Sequence, residues 1–146
     1  MKINHILIAT DLSEEALRPC SPVAEFAQNL GAKVTLLNVV QDLRIAPHGA
    51  PLAPAVSMDD MEKIAAENRA KLEDMASSLP GDIAIDVHIS EGIAKGIVEY
   101  GNAKDVDMIA ISTHGRTGFR HLVLGSVAEA VLRHAHKPVL CFPRVK

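Results

Sequence analysis

A glycine-rich segment in the last third of this 146-residue chain carries the residue types that bind anions. It runs from Ser112 to Ser126 and reads STHGRTGFRHLVLGS. Gly115 and Gly118 allow positive φ angles and a close approach of the backbone to a ligand. Gly125 directly precedes a predicted helix, whose first N–H groups have no partners inside the helix. Because amides of this kind attract phosphate groups, the segment predicts a phosphate site.

Positive charge is concentrated in the same segment, although the chain has a formal net charge of -3. A helix dipole contributes about 0.3 to 2 kcal/mol, whereas micromolar binding requires roughly 8 kcal/mol. Further amide hydrogen bonds and the burial of a base would have to supply the remainder. The structural alternative is that Ser126 and Glu129 form a capping box and that the glycines only turn the chain. The basic residues of the segment are Arg116, Arg120, His114 and His121.

Polar residues also end the first predicted strand, in the sequence ATDLS from Ala9 to Ser13. Open α/β sheets bind ligands at the carboxyl ends of their strands. There the Asp11 carboxylate can accept a hydrogen bond from a ribose, hold an adenine edge or help to ligate Mg²⁺ on the phosphates. Its alternative role is that of a turn or cap residue, with Glu14 three positions later. The two roles are compatible.

Apolar runs alternate with segments of helical period from one end of the chain to the other. This alternation is typical of successive βα units around a parallel sheet, and it predicts an α/β fold with a single domain over residues 1–146. The third strand alternates apolar with polar residues, which places it at an edge, whereas the other four are apolar and predicted to be buried. The predicted strands are Ile3 to Thr10, Val34 to Val40, Ile83 to Ile89, Val106 to Ser112 and Val139 to Phe142.

Four helices are predicted between the strands. The first has Ser21-Pro22 as its cap and first position and Gly31 as its stop. Pro19 makes Ser13 to Arg18 a separate turn. The loop from Gln41 to Ser57 contains three prolines and has no periodicity, so it is predicted to be a lid or a mobile connection. The other helices are Met61 to Leu79, one that begins near Gly92, and Ser126 to about His136.

Bulk composition argues against several classes of function. The apolar runs are shorter than the roughly 18 residues of a membrane span, and strand-like sequence begins at Ile3, so neither a membrane protein nor an exported one is expected. The negative net charge and the absence of tryptophan argue against nucleic-acid binding. Cys20 and Cys141 are predicted to be reduced thiols in a cytoplasmic protein, and no histidine or cysteine spacing matches a metal site.

Together these features resemble the universal stress protein family, in its small, single-domain, ATP-binding form. The family's glycine motif is Gly, two residues, Gly, nine residues, Gly and then Ser or Thr. Gly115, the nine residues that follow it, Gly125 and Ser126 match this motif. Ala9-Thr10-Asp11 is similar to the family's element on the adenine side. Ser112 stands where the motif has its first glycine; its hydroxyl can bond a phosphate or a ribose, and its β-carbon narrows the pocket.

The resemblance implies a Rossmann-like, adenine nucleotide α-hydrolase-like sheet of five parallel strands in the order 3-2-1-4-5, with helices on both faces. The nucleotide would lie between strands one and four, where the order reverses. Family members commonly form homodimers through the last strand, which here is the apolar edge Val139 to Val145. Val39 is a candidate wall for the adenine. The residues implied at the nucleotide are Ala9, Thr10, Asp11, Val39, Ile111, Ser112, Gly115, Arg116, Gly125, Ser126 and Val127.

No motif for phosphoryl transfer accompanies this site. The chain contains neither Gly-x-x-x-x-Gly-Lys-Ser/Thr nor Gly-x-Gly-x-x-Gly, and its third strand closes with His88-Ile89-Ser90 where a phosphoacceptor domain needs an aspartate. No nucleophile is paired with a base, so no dedicated catalysis is expected beyond slow ATP hydrolysis. We therefore expect ATP, with Mg²⁺, to control a regulatory switch that acts on an unidentified protein partner. The alternatives are an interaction module of the same fold that binds no nucleotide and a low-turnover ATPase.

Overall fold

The computed structural model describes residues 2–44, 56–113 and 124–143 of the chain. Within these ranges strands and helices alternate, and none of the helices is both long and apolar enough to cross a membrane. In chain order the elements are β1 (His5–Ala9), α1 (Glu14–Leu17), α2 (Cys20–Leu30), β2 (Lys33–Gln41), α3 (Met58–Ser77), β3 (Ile83–Ser90), α4 (Ile93–Ala103), β4 (Met108–Ser112), α5 (Ser126–His134) and β5 (Val139–Phe142).

The five strands form one parallel sheet in the order β3-β2-β1-β4-β5. This order confirms the predicted fold and the position of the third strand at an edge. β1 is central and all five of its residues are buried; Ile8 pairs with Leu36 of β2 and with Ala110 of β4. The near-continuous apolar sequences of β1 and β2 fit this position because helices cover both faces of the sheet.

Alternate residues of β1 enter two hydrophobic cores on opposite faces of the sheet. Leu7 and Ala9 pack in the core under α4 and α5. Ile6 and Ile8 pack in the core under α2 and α3, which Leu72 of α3 also enters. Each large aliphatic side chain buried in this way contributes about 1.5 to 3 kcal/mol. The sheet is therefore held from both sides, and the carboxyl ends of its strands have fixed relative positions.

The start of the first long helix differs from the prediction. α2 begins at Cys20, after Pro19, and not at Ser21-Pro22, so that prediction is wrong. The physical reason is that N–H groups in the first helical turn have no acceptors within the helix, so proline is tolerated at any of these positions and Pro22 occupies the third. The predicted stop is confirmed, because Gly31 ends the helix in the left-handed conformation with φ of 66°. α1 is the separate turn expected before Pro19.

Other boundaries shift by two or three residues. α3 begins at Met58 because Ser57 and Asp60 form a capping box, in which Ser57 Oγ accepts from the Asp60 N–H at 3.1 Å and an Asp60 carboxylate oxygen accepts from the Ser57 N–H at 3.0 Å. β4 begins two residues later, and α5 ends two residues earlier, than expected. Residues 45–55 of the predicted loop lie outside the described residues.

The prediction that the last strand is buried is also wrong. β5 occupies the edge of the sheet opposite β3, and Leu140 is 37% exposed there. An edge strand has a neighbour on one side only, so apolar residues in its sequence do not ensure burial within one chain. The described part of β5 therefore presents apolar surface at the edge of the sheet.

Candidate functional site

The carboxyl ends of β1 and β4 lie side by side at the point where the strand order reverses. Ala9 at the end of β1 pairs with Ile111 of β4. Thr10 and Ser112, each one residue further along, are both buried. We call the space beyond these four residues the crevice. The structure thus brings together four residues that the sequence predicted, at the kind of position where open α/β sheets bind ligands.

Asp11 sits in a tight turn at the mouth of the crevice. Its Oδ1 accepts two hydrogen bonds from Ser13, from the backbone N–H at 3.0 Å and from the hydroxyl at 2.5 Å. Leu12 between them has a φ of 65°, which is uncommon for a residue with a side chain, and its N–H donates to Thr10 Oγ1 at 3.0 Å. Ser13 also caps α1. The structure therefore shows the turn role foreseen for Asp11, and its role toward a ligand stays a prediction.

The residue after β4 and the residue before α5 are in direct contact. Thr113 follows β4, and its N–H donates to the carbonyl of Phe142 in β5 at 3.0 Å. Its own carbonyl accepts from the N–H of Gly125 at 2.6 Å. Residues 114–123 lie outside the described residues, and with them the predicted site residues Gly115 and Arg116. The bond between Thr113 and Gly125 nonetheless places the start of α5 next to the end of β4.

Among the described residues, no side chain caps the first turn of α5. Gly125 is the N-cap residue, and Ser126 is the first helical residue. The alternative in which Ser126 and Glu129 form a capping box is therefore wrong, since the Glu129 carboxylate pairs with Arg133 at 2.7 Å instead. Gly125 has a φ of -71°, so its backbone conformation does not require glycine. Ser126 is exposed and Val127 half-buried beside this uncapped end, which lies at the mouth of the crevice.

Val39 borders the crevice with its backbone more than with its side chain. In β2 the main-chain groups of even-numbered residues face β3, as the N–H groups of Val34 and Asp42 do. The odd-numbered Leu37 faces β1, since its carbonyl accepts from the Thr10 N–H at 2.9 Å. The main-chain groups of Val39 therefore point toward the β1 side, beyond the last residue of β1. The Val39 side chain packs in the core under α4. At the level of Val39, the predicted wall for an adenine would therefore consist of backbone atoms.

A buried amide that the sequence analysis overlooked supports the end of β1. Asn38 of β2 donates from Nδ2 to the Thr10 carbonyl at 2.8 Å, and its Oδ1 accepts from Asn68 Nδ2 of α3 at 2.8 Å. Both residues break an otherwise apolar pattern, Asn38 in the run Val34 to Val40 and Asn68 on the apolar face of its helix. That double interruption was the available signal, because buried amides require partners.

An ion pair lies at the same rim, after β2. The Arg44 guanidinium donates to both carboxylate oxygens of Asp42, at 2.9 and 2.7 Å, and lowers the pKa of that carboxyl. The Asp42 N–H donates to the carbonyl of Ser90 at the end of β3. Within the ranges that the structure describes, no group of three or more histidine, cysteine or acidic side chains is arranged to hold a metal ion.

Comparison with known proteins identifies the chain at the level of its family. A profile of the universal stress protein family matches residues 2–143. The chain belongs to this family. Universal stress protein MJ0531 of Methanocaldococcus jannaschii is 31% identical over 145 residues, which cover 97% of this chain and 82% of that protein. The solved structure of the hypothetical protein MJ0577 is 27% identical, with a TM-score of 0.76 over 100% of this chain and 99% of that one.

Solved structures of universal stress proteins with this fold include complexes with nucleotides. The structure of the universal stress protein from Archaeoglobus fulgidus in complex with dAMP has a TM-score of 0.62 to this chain, with 20% sequence identity. The alignment covers 99% of this chain and all of that one. At this identity the comparison establishes the shared fold. The bound dAMP is a property of the Archaeoglobus protein.

Proposed function

We propose that this universal stress protein binds ATP in the crevice and acts as a nucleotide-dependent regulatory switch in a stress response. The observation that carries the proposal is the hydrogen bond from Gly125 to Thr113, which sets the start of α5, without a cap among the described side chains, beside the ends of β1 and β4. Uncapped helical N–H groups suit phosphates, and the end of β1 offers polar groups for a nucleoside. The dAMP complex of an Archaeoglobus relative supports an adenine nucleotide as the ligand class.

Each predicted residue has a role in this proposal. Ala9 and Ile111 form the floor of the crevice, and the backbone of Val39 borders the adenine. Thr10 and Asp11 bind the ribose or the adenine edge. The residues proposed to hold the phosphates are Ser112, Gly115, Arg116, Gly125, Ser126 and Val127, with Asp11 as a protein ligand to Mg²⁺.

Mg²⁺ prefers oxygen ligands and retains several waters, so one carboxylate together with phosphate oxygens is a sufficient set. When bound, the ion would neutralise charge on the phosphates. The Asp11 carboxylate lies at the mouth of the crevice, and Ser13 holds its Oδ1 by two hydrogen bonds. This arrangement fixes the direction of the carboxylate before any ligand arrives.

A second candidate function is an interaction module of the same fold that binds no nucleotide. The hydrogen bonds that Asp11 already makes with Ser13 favour this candidate, because they give the side chain a turn role that needs no ligand. Calorimetric titration of nucleotide-free protein with Mg-ATP distinguishes the two. Micromolar binding, with stabilisation of about 2.7 kcal/mol at a hundredfold excess over Kd, is the expected result. Absence of both heat and thermal stabilisation supports the interaction module.

The titration becomes sharper when it is repeated with AMP. If the start of α5 contacts the β- and γ-phosphates, ATP should bind at least about tenfold more tightly than AMP, a difference of about 1.4 kcal/mol. Equal affinities would mean that the terminal phosphates do not reach α5. Phosphate release above a control without protein, lost in Asp11→Ala, would instead indicate a low-turnover ATPase.

We also propose a homodimer through β5, in a single-domain cytoplasmic protein with an unidentified protein partner. Leu140 is 37% exposed on this edge strand, and pairing with a second copy would cover it. The described part of the predicted interface is 139–143, which includes β5, because residues 144 and 145 lie outside the described ranges.

A further inference from the structure

The Asn38 amide joins three elements that are distant in the sequence. It lies on β2 and is only 4% exposed. Its Nδ2 reaches the Thr10 carbonyl beyond the end of β1, and its Oδ1 accepts from Asn68 of α3, each at 2.8 Å. A continuous chain of hydrogen bonds thus runs from the outer helix, through the sheet, to the backbone residue that precedes Asp11. We call these three residues the asparagine relay.

The direction of the asparagine relay is determined by its last member. A carbonyl oxygen only accepts hydrogen bonds, so Asn38 must turn its NH₂ group toward Thr10. Its oxygen then faces α3, where Asn68 must act as the donor. If Asn68 cannot donate, the Asn38 oxygen is left buried without a partner, or the amide flips and sets its oxygen against the Thr10 carbonyl. Either outcome disturbs the backbone at the crevice.

α3 is joined to the sheet by a few buried apolar side chains and by this polar contact. In its 20 residues Met61 and Leu72 are fully buried, Ile64 between them is 36% exposed, and Met75 and Ala76 pack partly buried against the core that Leu72 enters. The ion pair from Arg69 to Asp86 is partly exposed, and pairs of this kind contribute little. Between Met61 and Leu72, the bond from Asn68 to Asn38 is a direct polar link of α3 to β2. Loss of such a link favours local opening of the helix at this point.

We infer that the asparagine relay couples the position of α3 to occupancy of the crevice, with Asn38 and Asn68 as positioning residues. The inference rests on the proposed function for the identity of the ligand. A nucleotide that contacts Thr10 or Asp11 restrains the Thr10 carbonyl, the carbonyl holds the Asn38 amide, and the amide holds α3. Coupling is reciprocal, so loosening α3 weakens nucleotide binding. The outer surface of α3 is then the face that reports occupancy.

The first test compares ATP affinity across four variants. Asn68→Leu and Asn68→Asp both remove the donor, the second with little change of shape, and should raise the Kd for ATP about three- to tenfold. Asn68→Gln keeps an NH₂ donor and should stay within about twofold of the wild type. Asn102→Leu is the matched control on an exposed position of α4. Unchanged affinity in a folded Asn68→Leu or Asn68→Asp variant would overturn the inference.

The second test follows hydrogen exchange with and without ATP. In the wild type, saturating ATP should slow exchange of backbone amides in α3 as well as those of Leu12 and Ser13. In Asn68→Leu at saturating ATP, the protection of α3 should be lost while that at Leu12 and Ser13 remains. Equal protection of α3 in both proteins would refute the coupling.

Hydrogen exchange without nucleotide separates this inference from the proposed function. If the wild type binds no ATP, the proposed function fails. The asparagine relay is then judged in the nucleotide-free proteins, where Asn68→Leu should speed exchange of the Thr10 and Leu12 amides several-fold relative to Asn102→Leu. Identical exchange in these two variants would show that Asn68 has no influence on the end of β1.

Discussion

The backbone N–H of Gly125 lies 2.6 Å from the carbonyl oxygen of Thr113, so the end of β4 and the start of α5 meet at one point of the crevice. Because Gly125 has an extended backbone, with φ of -71° and ψ of 154°, a β-branched residue can occupy its position without backbone strain. Any effect of a larger side chain there must therefore come from the space that it fills.

Gly125→Val should abolish ATP binding while leaving the fold intact. The added side chain stands at the start of α5, where the phosphates are proposed to approach. Calorimetry should show at least about a tenfold loss of affinity, and far-UV circular dichroism should be unchanged. Gly92→Val is the control, because Gly92 also caps a helix with an extended backbone, and a β-carbon there would meet only Lys95 Cβ, at an ordinary contact distance of 3.9 Å. Full affinity in a folded Gly125→Val protein would count against the phosphate placement.

Leu140→Lys should convert the proposed dimer to monomer. The substitution places a charge in the middle of the apolar edge of β5, where pairing with a second copy would bury it. Sedimentation velocity at micromolar protein should show the monomer. Leu30→Lys changes a leucine on α2 that is 47% exposed, somewhat more than Leu140, and should leave the dimer intact. If both variants sediment alike, a different surface holds the dimer.

Two glycines of α4 should respond to alanine in opposite directions. A β-carbon at Gly96 would lie 2.7 Å from Val39 Cγ1 and 2.8 Å from Ser90 Cβ, whereas at Gly101 the nearest atom is 3.6 Å away. Alanine favours a helix over glycine by about 1 kcal/mol, but overpacking costs about 1 to 3 kcal/mol. Urea denaturation should therefore show Gly101→Ala as neutral or stabilised and Gly96→Ala as destabilised by roughly 1 kcal/mol. A stabilised Gly96→Ala protein would contradict the close contact of α4 with β2.

Acid should destabilise the fold through His5. Burial, with a smaller contribution from Lys33, lowers the pKa of His5 below its ordinary value of 6.5. His5 Nδ1 lies 3.2 Å from the Lys104 carbonyl and Nε2 lies 2.8 Å from Thr35 Oγ1, so the neutral ring donates to Lys104 and accepts from Thr35. Between its lowered pKa and about 6.5, the unfolded chain binds a proton that the folded chain does not, so the free energy of unfolding falls as the pH drops.

The measurement is the urea midpoint at about pH 7.5 and about pH 5.5, which span the ordinary histidine pKa. The wild type should lose more stability over this interval than His5→Gln, which does not titrate there. His136→Gln provides a comparison at an exposed histidine. Equal pH dependence in the wild type and His5→Gln would exclude His5 as the source.

Some of the architecture was available from local pattern. The alternation of apolar and polar residues from Ile83 to Ile89 predicted an edge strand, and β3 is one. A strand with one solvent-exposed face needs a position where helices do not fully cover both faces of the sheet. The apolar run of β5 predicted a buried strand, and this prediction was wrong. The same residues suit both a buried strand and an edge strand that pairs with another chain. The strand order itself came from the family resemblance, because periodicity carries no information about which strands are neighbours.

The candidate site was predictable only in part. Residues adjacent in the chain, such as Thr10 and Asp11, were found because they end a strand. The pairing of Asn38 with Asn68 spans 30 positions and was missed, since only the folded sheet brings α3 over β2. The alternative capping role of Ser126 was wrong for a local reason. The helix begins one residue earlier than a Ser126 cap would require, and Glu129 pairs with Arg133 instead.

Leu12 makes the mouth of the crevice dependent on the hydrophobic layer beneath it. A leucine in the left-handed region is disfavoured by roughly 1 to 2 kcal/mol, and here its side chain packs against the core under α2 and α3. Apolar packing on one face of the sheet thus maintains an unfavourable backbone next to Asp11 on the rim. Mild heating or dilute denaturant that loosens that layer would let the turn relax while the sheet persists. Ligand affinity should therefore fall at a lower temperature or denaturant concentration than the far-UV ellipticity does.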